Sequence, residues 1–223
     1  MYSYDALKSE FKLDDYFATA KYNREFAKQH PEYMRCDGTI LFCGGQGCGK
    51  TLSAVRYLYR LHRLYPAAII VSNIPLQIGC DVIPYKSIAD VATMDNGYSG
   101  IILFLDEIQV EFNSLDSQRI HPSVIATISQ QRKRRLHVIG TTQLFKRLAK
   151  PWREQCNAII DCSSSLGGML QINKVVDLGT IAEDSSGNLT TYDYSERFFW
   201  FRSKRYFDMY DTLQRVNNIG GLK

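Results

Sequence analysis

Apolar and polar positions along this chain change period repeatedly, and the changes outline a layered fold. Thr39-Ile40-Leu41-Phe42-Cys43 is a short apolar run that reads as a buried strand. Beyond a glycine-rich stretch, Leu52, Val55, Leu58, Leu61 and Tyr65 fall at helical spacing, with Arg56, Arg60 and Arg63 on the other side. Further strand-sized runs are Ala67–Val71, Ile101–Leu105, His137–Thr141 and Ala158–Asp161. A weaker one, Val82–Tyr85, leads into a short helix at Ser87–Thr93 and a turn at Asp95-Asn96-Gly97. Pro122–Gln131 has helical character. Ile101–Leu105 is apolar without a break, as a strand covered on both faces requires. The alternation predicts an α/β fold, a three-layer sandwich around a mostly parallel sheet.

The two ends follow other rules. Residues from about 4 to 30 read as helix, with Phe11, Tyr16, Phe17 and Phe26 as packing groups for an extension over a sheet edge. After Gly167-Gly168, Leu170–Leu178 and Leu189–Phe201 read as two strands joined by the turn-rich Glu183–Asn188, a hairpin. A last helix is expected at Tyr206–Val216. The expected organisation is a helical extension (1–34), a core (35–165) and a hairpin with a helix packed on the core (166–223).

The 223 residues suffice for one full core with additions, and 45% apolar with 22% charged content is ordinary for a folded chain. A net charge of +4 does not by itself call for a polyanionic partner. Six cysteines show no C-x-x-C pair and no zinc spacing, so free thiols in a reducing compartment are expected. Redox control through Cys48 is the competing reading. The polar start Tyr2-Ser3-Tyr4-Asp5 is unlike a secretory leader, and no apolar run reaches the length of a membrane span. A cytoplasmic location, in a host cell if the protein is viral, is the expectation.

The chemistry lies between the first strand and the following helix. Gly44-Gly45-Gln46-Gly47-Cys48-Gly49-Lys50-Thr51 fits G-x-x-x-x-G-K-[ST], and with Leu52 it makes up the candidate nucleotide-binding segment. Its glycines allow a tight loop whose successive N–H groups face a phosphate, beside the positive end of a helix. Lys50 would reach the β- and γ-phosphates, and the Thr51 hydroxyl would coordinate Mg²⁺. Ile101–Leu105 then delivers Asp106 and Glu107 at a strand end, where open α/β sheets bind ligands. Asp106 would hold the Mg²⁺ shell, and Glu107 would polarise the attacking water. The competing reading is an acidic pair that caps the next helix. A third strand ends in Thr141-Thr142-Gln143, where Gln143 would sense the γ-phosphate or the water; Thr141 and Thr142 rank behind it.

Other nucleotide-dependent classes fit less well. Asn173-Lys174-Val175-Val176 lacks the acid of a guanine-reading Asn-Lys-x-Asp, and no Leu-Ser-Gly-Gly-Gln signature is present. An AAA+ protein would follow its core with a helical lid, whereas this tail reads as strands. Over roughly residues 38–165, the combination of Lys50-Thr51, Asp106-Glu107 and Gln143 resembles the FtsK/HerA superfamily of DNA-pumping ATPases. It is most similar to the viral branch: phage DNA-packaging ATPases and the Zot-like ATPase domain of filamentous-phage assembly proteins. The basic stretch Ser129–Arg135 is also similar to one in Zot-like proteins. The resemblance implies a P-loop NTPase sandwich of the RecA/FtsK-HerA kind. It also implies ATP and Mg²⁺, a homo-oligomeric ring with an arginine reaching into the neighbour's site, DNA as cargo, and phage portal or assembly proteins as partners. The membrane span and periplasmic tail of Zot proteins and the extra DNA-binding domains of FtsK-type translocases have no counterpart in these residues.

Arg153 is the first candidate for that trans arginine, with Arg119, Arg132, Arg134 and Arg135 as rivals and a surface ion pair with Glu154 as the alternative. Positive charge clusters at Arg132–Arg135, at Lys146, Arg147 and Lys150, and at Arg202, Lys204 and Arg205. Each cluster is either a phosphate contact or a solvated face. Phe198-Phe199-Trp200-Phe201 reads as core and interface packing ahead of stacking on single-stranded bases. The expected function is an ATP-driven DNA-translocating motor. The alternatives are an ATP-binding switch or scaffold with slow hydrolysis, a single-core helicase-like ATPase and, behind these, a small-molecule kinase.

Overall fold

The computed structural model describes residues 13–112, 131–145, 148, 150–183 and 189–211. The chain divides into two compact units, residues 1–33 and 34–223. The first unit holds α1 (Leu13–Gln29), with Asp14 and Asp15 in its first turn and Lys28 in its last, charges that oppose the helix dipole. None of the described side chains of α1 is buried. Phe26 meets the Tyr33 ring edge-on, 5.0 Å between centroids.

The second unit is organised by one large sheet. Its strands are β1 (Gly38–Cys43), β2 (Ile69–Ser72), β3 (Val82–Pro84), β4 (Ile101–Leu105), β5 (Leu136–Thr142), β6 (Cys156–Ser165), β7 (Leu170–Val176) and β10 (Tyr194–Phe201). These eight lie in the order β10-β7-β6-β1-β5-β4-β2-β3. Neighbouring pairs from β6 to β3 are parallel, while β7 and β10 add antiparallel. A separate ladder joins β8 (Ala182–Glu183) to β9 (Leu189–Thr191). The expected hairpin therefore forms between β7 and β10, with this smaller pairing inside its connection.

Alternation along the central strands explains their unbroken apolar runs. Ile101, Leu103 and Leu105 enter one core cluster, and Ile102 and Phe104 enter another. Helix α2 (Lys50–Leu64) covers the second cluster through Ala54, Val55, Leu58 and Leu61. The first cluster is closed by α3 (Ile88–Thr93) through Ile88 and Val91, together with Phe112 and Trp152. Ser87 caps α3, accepting from the Asp90 N–H at 3.1 Å. Three layers follow, as the pattern predicted.

Two expectations change at the C-terminal end. Of the helix expected at Tyr206–Val216, residues 206 and 207 lie in a single turn, Lys204–Phe207, and residues 208–211 are not helical, while residues 212–216 lie outside the described set. Met209 is buried and its carbonyl accepts from the Gln77 N–H, so the backbone leaves helical geometry to pair with the segment that follows β2. In the aromatic run only Trp200 is buried, under the Arg56 guanidinium at 4.6 Å from its ring. Phe198, Phe199 and Phe201, on the same edge strand, are exposed. The helical stretch expected over Pro122–Gln131 lies outside the described residues but for its last member, and so does Phe11.

His137 on β5 is buried, and its Nε2 lies 3.1 Å from the Tyr57 hydroxyl. Burial lowers its pKa from 6.5 to about 4. The unfolded chain therefore binds the extra proton first. Stability is full above about pH 6.5 and falls as pH drops toward 4, by up to about 3 kcal/mol. Denaturant titrations across this range should show that slope, and His137→Gln should flatten it.

Candidate functional site

The connection between β1 and α2 forms a loop whose crest, Gly45 to Gly47, is exposed. Two of its glycines are required by the backbone. Gly44 has φ 139°, and a Cβ there would lie 2.6 Å from the Cys162 carbonyl oxygen. Gly49 has φ 92°, and a Cβ would strike the side chains of Gln171 and Arg202. Lys50, the first residue of α2, is buried and donates from Nζ to the Gly45 carbonyl at 3.1 Å. The Cys48 thiol is half-buried, and burial raises its pKa, with Lys50 opposing. That direction disfavours the thiolate needed for redox control. All six cysteines are free.

Strand order brings the remaining chemistry to this loop. β5 lies directly between β1 and β4, so the ends of three parallel strands converge. Asp106 Oδ1 accepts from Thr51 Oγ1 at 2.7 Å and from Thr141 Oγ1 at 2.8 Å. Burial raises the Asp106 pKa, opposed by those two hydroxyls. The Glu107 N–H donates to Thr141 Oγ1 at 2.9 Å, and Glu107 itself sits in the left-handed region at φ 50°. Its carboxylate accepts from Gln109 Nε2.

Asn73, just past β2, grips the Asp106 peptide from both sides. Its Nδ2 donates to the Asp106 carbonyl and its Oδ1 accepts from the Asp106 N–H, both at 2.8 Å. In the sequence Asn73 follows the apolar run Ala67–Val71 by two residues. The signal that singled out Asp106 and Gln143, a polar residue at the end of an apolar run, applies to it equally.

Other sequence candidates lie differently. Gln143 follows β5 with an exposed side chain, and the contact from this strand to the acidic pair is made by Thr141. Arg153 lies in the short helix Lys150–Glu154, half-buried, with its guanidinium 5.9 Å from the Phe145 ring centre. Trp152 beside it is fully buried against Phe112, which ties the helix to the core. Arg132 and Lys133 are exposed, whereas Arg135 meets Asp37 at 3.5 Å. Lys204 pairs with Asp208 at 2.7 Å and Arg205 lies over the Tyr59 ring at 4.8 Å. Arg119, Lys146 and Arg147 lie outside the described residues.

The resulting cleft encloses about 250 Å³ and is lined by the loop, Lys50, Thr51, Leu52 and Asp106. The C-terminal segment also lines it, through Arg202, Phe207, Tyr210 and Asp211. The Tyr210 hydroxyl is pushed up to about 12 by burial and by the Asp106 charge, with Arg202 opposing. The Thr51 hydroxyl and the Asp106 carboxylate meet at one point, and both are hard oxygen donors suited to Mg²⁺. Among the described residues no group of three or more His, Cys, Asp or Glu is placed to hold a metal, and no helix is long and apolar enough to cross a membrane.

The family model for the ATPase family associated with various cellular activities (AAA) matches residues 40–164. Curated proteins give no match. Among solved structures, the N-terminal domain of zonular occludens toxin from Neisseria meningitidis is 15% identical with a TM-score of 0.51, covering 79% of this chain and 100% of that one. The ATPase domain of another protein is 9% identical with a TM-score of 0.50, covering 89% and 98%. The genome packaging NTPase B204 from Sulfolobus turreted icosahedral virus 2, solved with ATP-gammaS, is 13% identical with a TM-score of 0.49, covering 70% and 97%. At these identities the likeness concerns the fold, a P-loop α/β sandwich. The family match overturns the exclusion of AAA based on the tail: it ends at residue 164, before the strands β7 and β10 that occupy the place of an AAA+ helical lid.

Proposed function

This chain belongs to the AAA family of ATPases, matched over residues 40–164, and on that premise we propose that it is an ATP-driven DNA-translocating motor serving phage genome packaging or phage assembly and extrusion. The observation that carries the hydrolytic part is the junction at Asp106, which joins Thr51 of the loop helix to Thr141 of β5. In this reading the loop N–H groups and Lys50 bind the β- and γ-phosphates. Glu107 takes the proton of the attacking water, and Gln143 and Thr141 orient the γ-phosphate end. Thr51 and Asp106 would hold Mg²⁺, which neutralises phosphate charge when bound. Arg153 would act on a neighbouring subunit's nucleotide within a homo-oligomeric ring.

The motor part is supported by the motif resemblance to viral DNA-pumping ATPases and by exposed positive charge at Arg132 and Lys133. Such residues would meet phosphates without reading sequence. Phosphate release measured with added single- and double-stranded DNA, alongside particle size, tests it. The expected result is several-fold stimulation by one DNA form, weakened by salt, from an assembly larger than one chain. DNA-independent turnover by a monomer would sink the motor reading and leave the ATPase standing.

One observation favours a second reading, an ATP-binding switch with slow hydrolysis. Gln109 donates to the Glu107 carboxylate and so holds the proposed base away from free solvation. Slow basal turnover that no DNA accelerates would favour the switch.

A further inference from the structure

We propose that Arg202 is a nucleotide-positioning residue, supplied to the phosphate loop by the C-terminal hairpin of the same chain. The proposal rests on the ATP-binding reading of the cleft and adds to it a residue from outside the motifs. Arg202 directly follows β10. Its Nη2 donates to the Cys48 carbonyl at 2.9 Å and its Nε donates to Gln171 Oε1 at 2.9 Å. Gln171 on β7 is fully buried and donates to the same Cys48 carbonyl at 3.1 Å. It also donates to Asn173 Oδ1 at 3.0 Å, and that oxygen accepts from Ser53 Oγ of α2 at 3.0 Å.

One carbonyl of the loop is thus held by two side chains from the hairpin, and the helix it feeds is held by a third. Buried polar groups joined in this way fix a single geometry, because each loses its partner if the loop shifts. Peptide planarity then fixes the direction of the Gly49 N–H, which lies opposite the Cys48 carbonyl. The close fit at Gly49 has the same source, since a side chain there would displace Gln171 and Arg202.

Arg202 also faces the cleft alongside Lys50, Thr51 and Asp106. Neither of its two bonds uses Nη1. A guanidinium so mounted offers further N–H donors and a fixed positive charge to a polyphosphate. In the sequence Arg202 groups with Lys204 and Arg205 as a basic cluster, either a phosphate contact or a solvated face. The structure turns it inward, while its two neighbours in that cluster engage Asp208 and Tyr59.

R202M and R202K test this through equilibrium titration with a fluorescent ATP analogue, with Tm of the nucleotide-free protein and steady-state turnover alongside. R202M is expected to bind at least about tenfold more weakly, with KM rising in parallel and kcat falling by less than about threefold. R202K should fall between, because an ammonium keeps the charge but cannot span Gln171 and Cys48 together. A purely structural brace would lower Tm and leave the affinity of the folded protein at the native value; that outcome overturns the proposal. Should R202M fail to fold, R202K decides: weakened binding supports the role and native affinity overturns it. Native protein that binds no nucleotide refutes the reading of the cleft, and the proposal with it. Native binding matched by both variants refutes the proposal alone.

Discussion

Lys50→Ala is expected to lower ATP turnover by about 100-fold to 1,000-fold and to weaken triphosphate binding, with the fold retained. Lys50 is buried at the first turn of α2, and its ammonium is held 3.1 Å from the Gly45 carbonyl of its own loop. That contact keeps a full positive charge at the centre of the loop, on the cleft side. Alanine is a strong helix former, so α2 keeps its first turn. Backbone N–H groups would remain, but the charge at the loop centre would be lost. Phosphate release and ATP affinity, measured together with Tm, check the outcome. A variant within about threefold of native turnover would show that Lys50 does not act on the phosphates.

Glu107→Gln should separate binding from chemistry. The substitution keeps length and shape, and an amide oxygen can still accept from Gln109 Nε2. What is lost is a group able to take a proton from water. Turnover is expected to fall by about 100-fold to 10,000-fold while ATP affinity stays within about threefold of native. Single-turnover measurement distinguishes a slow chemical step from slow product release. Turnover that persists would remove Glu107 as the base, whose backbone sits in the left-handed region at φ 50°. The hydrogen bond from its N–H to Thr141 Oγ1, at 2.9 Å, supplies one restraint on that conformation.

Much of the site was legible before any coordinates because its parts are local. The loop, its lysine and its threonine follow from spacing within eight residues between a strand and a helix. The acidic pair follows from an apolar run that stops abruptly at Asp106. The polar end of β5 was legible too, but not which of its residues does the contacting. Gln143, the amide at the strand end, is the sequence's candidate to sense the γ-phosphate or the water, while Thr141, ranked behind it, is the residue that meets Asp106 and the Glu107 N–H. Strand alternation decides between neighbours such as Thr141 and Thr142, since consecutive side chains leave a sheet on opposite faces.

What the chain order and periodicity determined alone was the α/β class, the position of the phosphate loop and the carboxylates beside it. Those depend on residues a few places apart, whose geometry local backbone preferences largely set. Only tertiary structure decided that Asn73 clamps the Asp106 peptide and that Arg202 reaches the Cys48 carbonyl from 154 residues away. Only tertiary structure, too, left most of the aromatic run on an exposed edge. These contacts depend on the lateral order of strands, with β7 and β10 added antiparallel beyond β6. Hydrophobic pattern says which faces are covered but not which strands lie side by side, so pairings across the sheet could not be read from it.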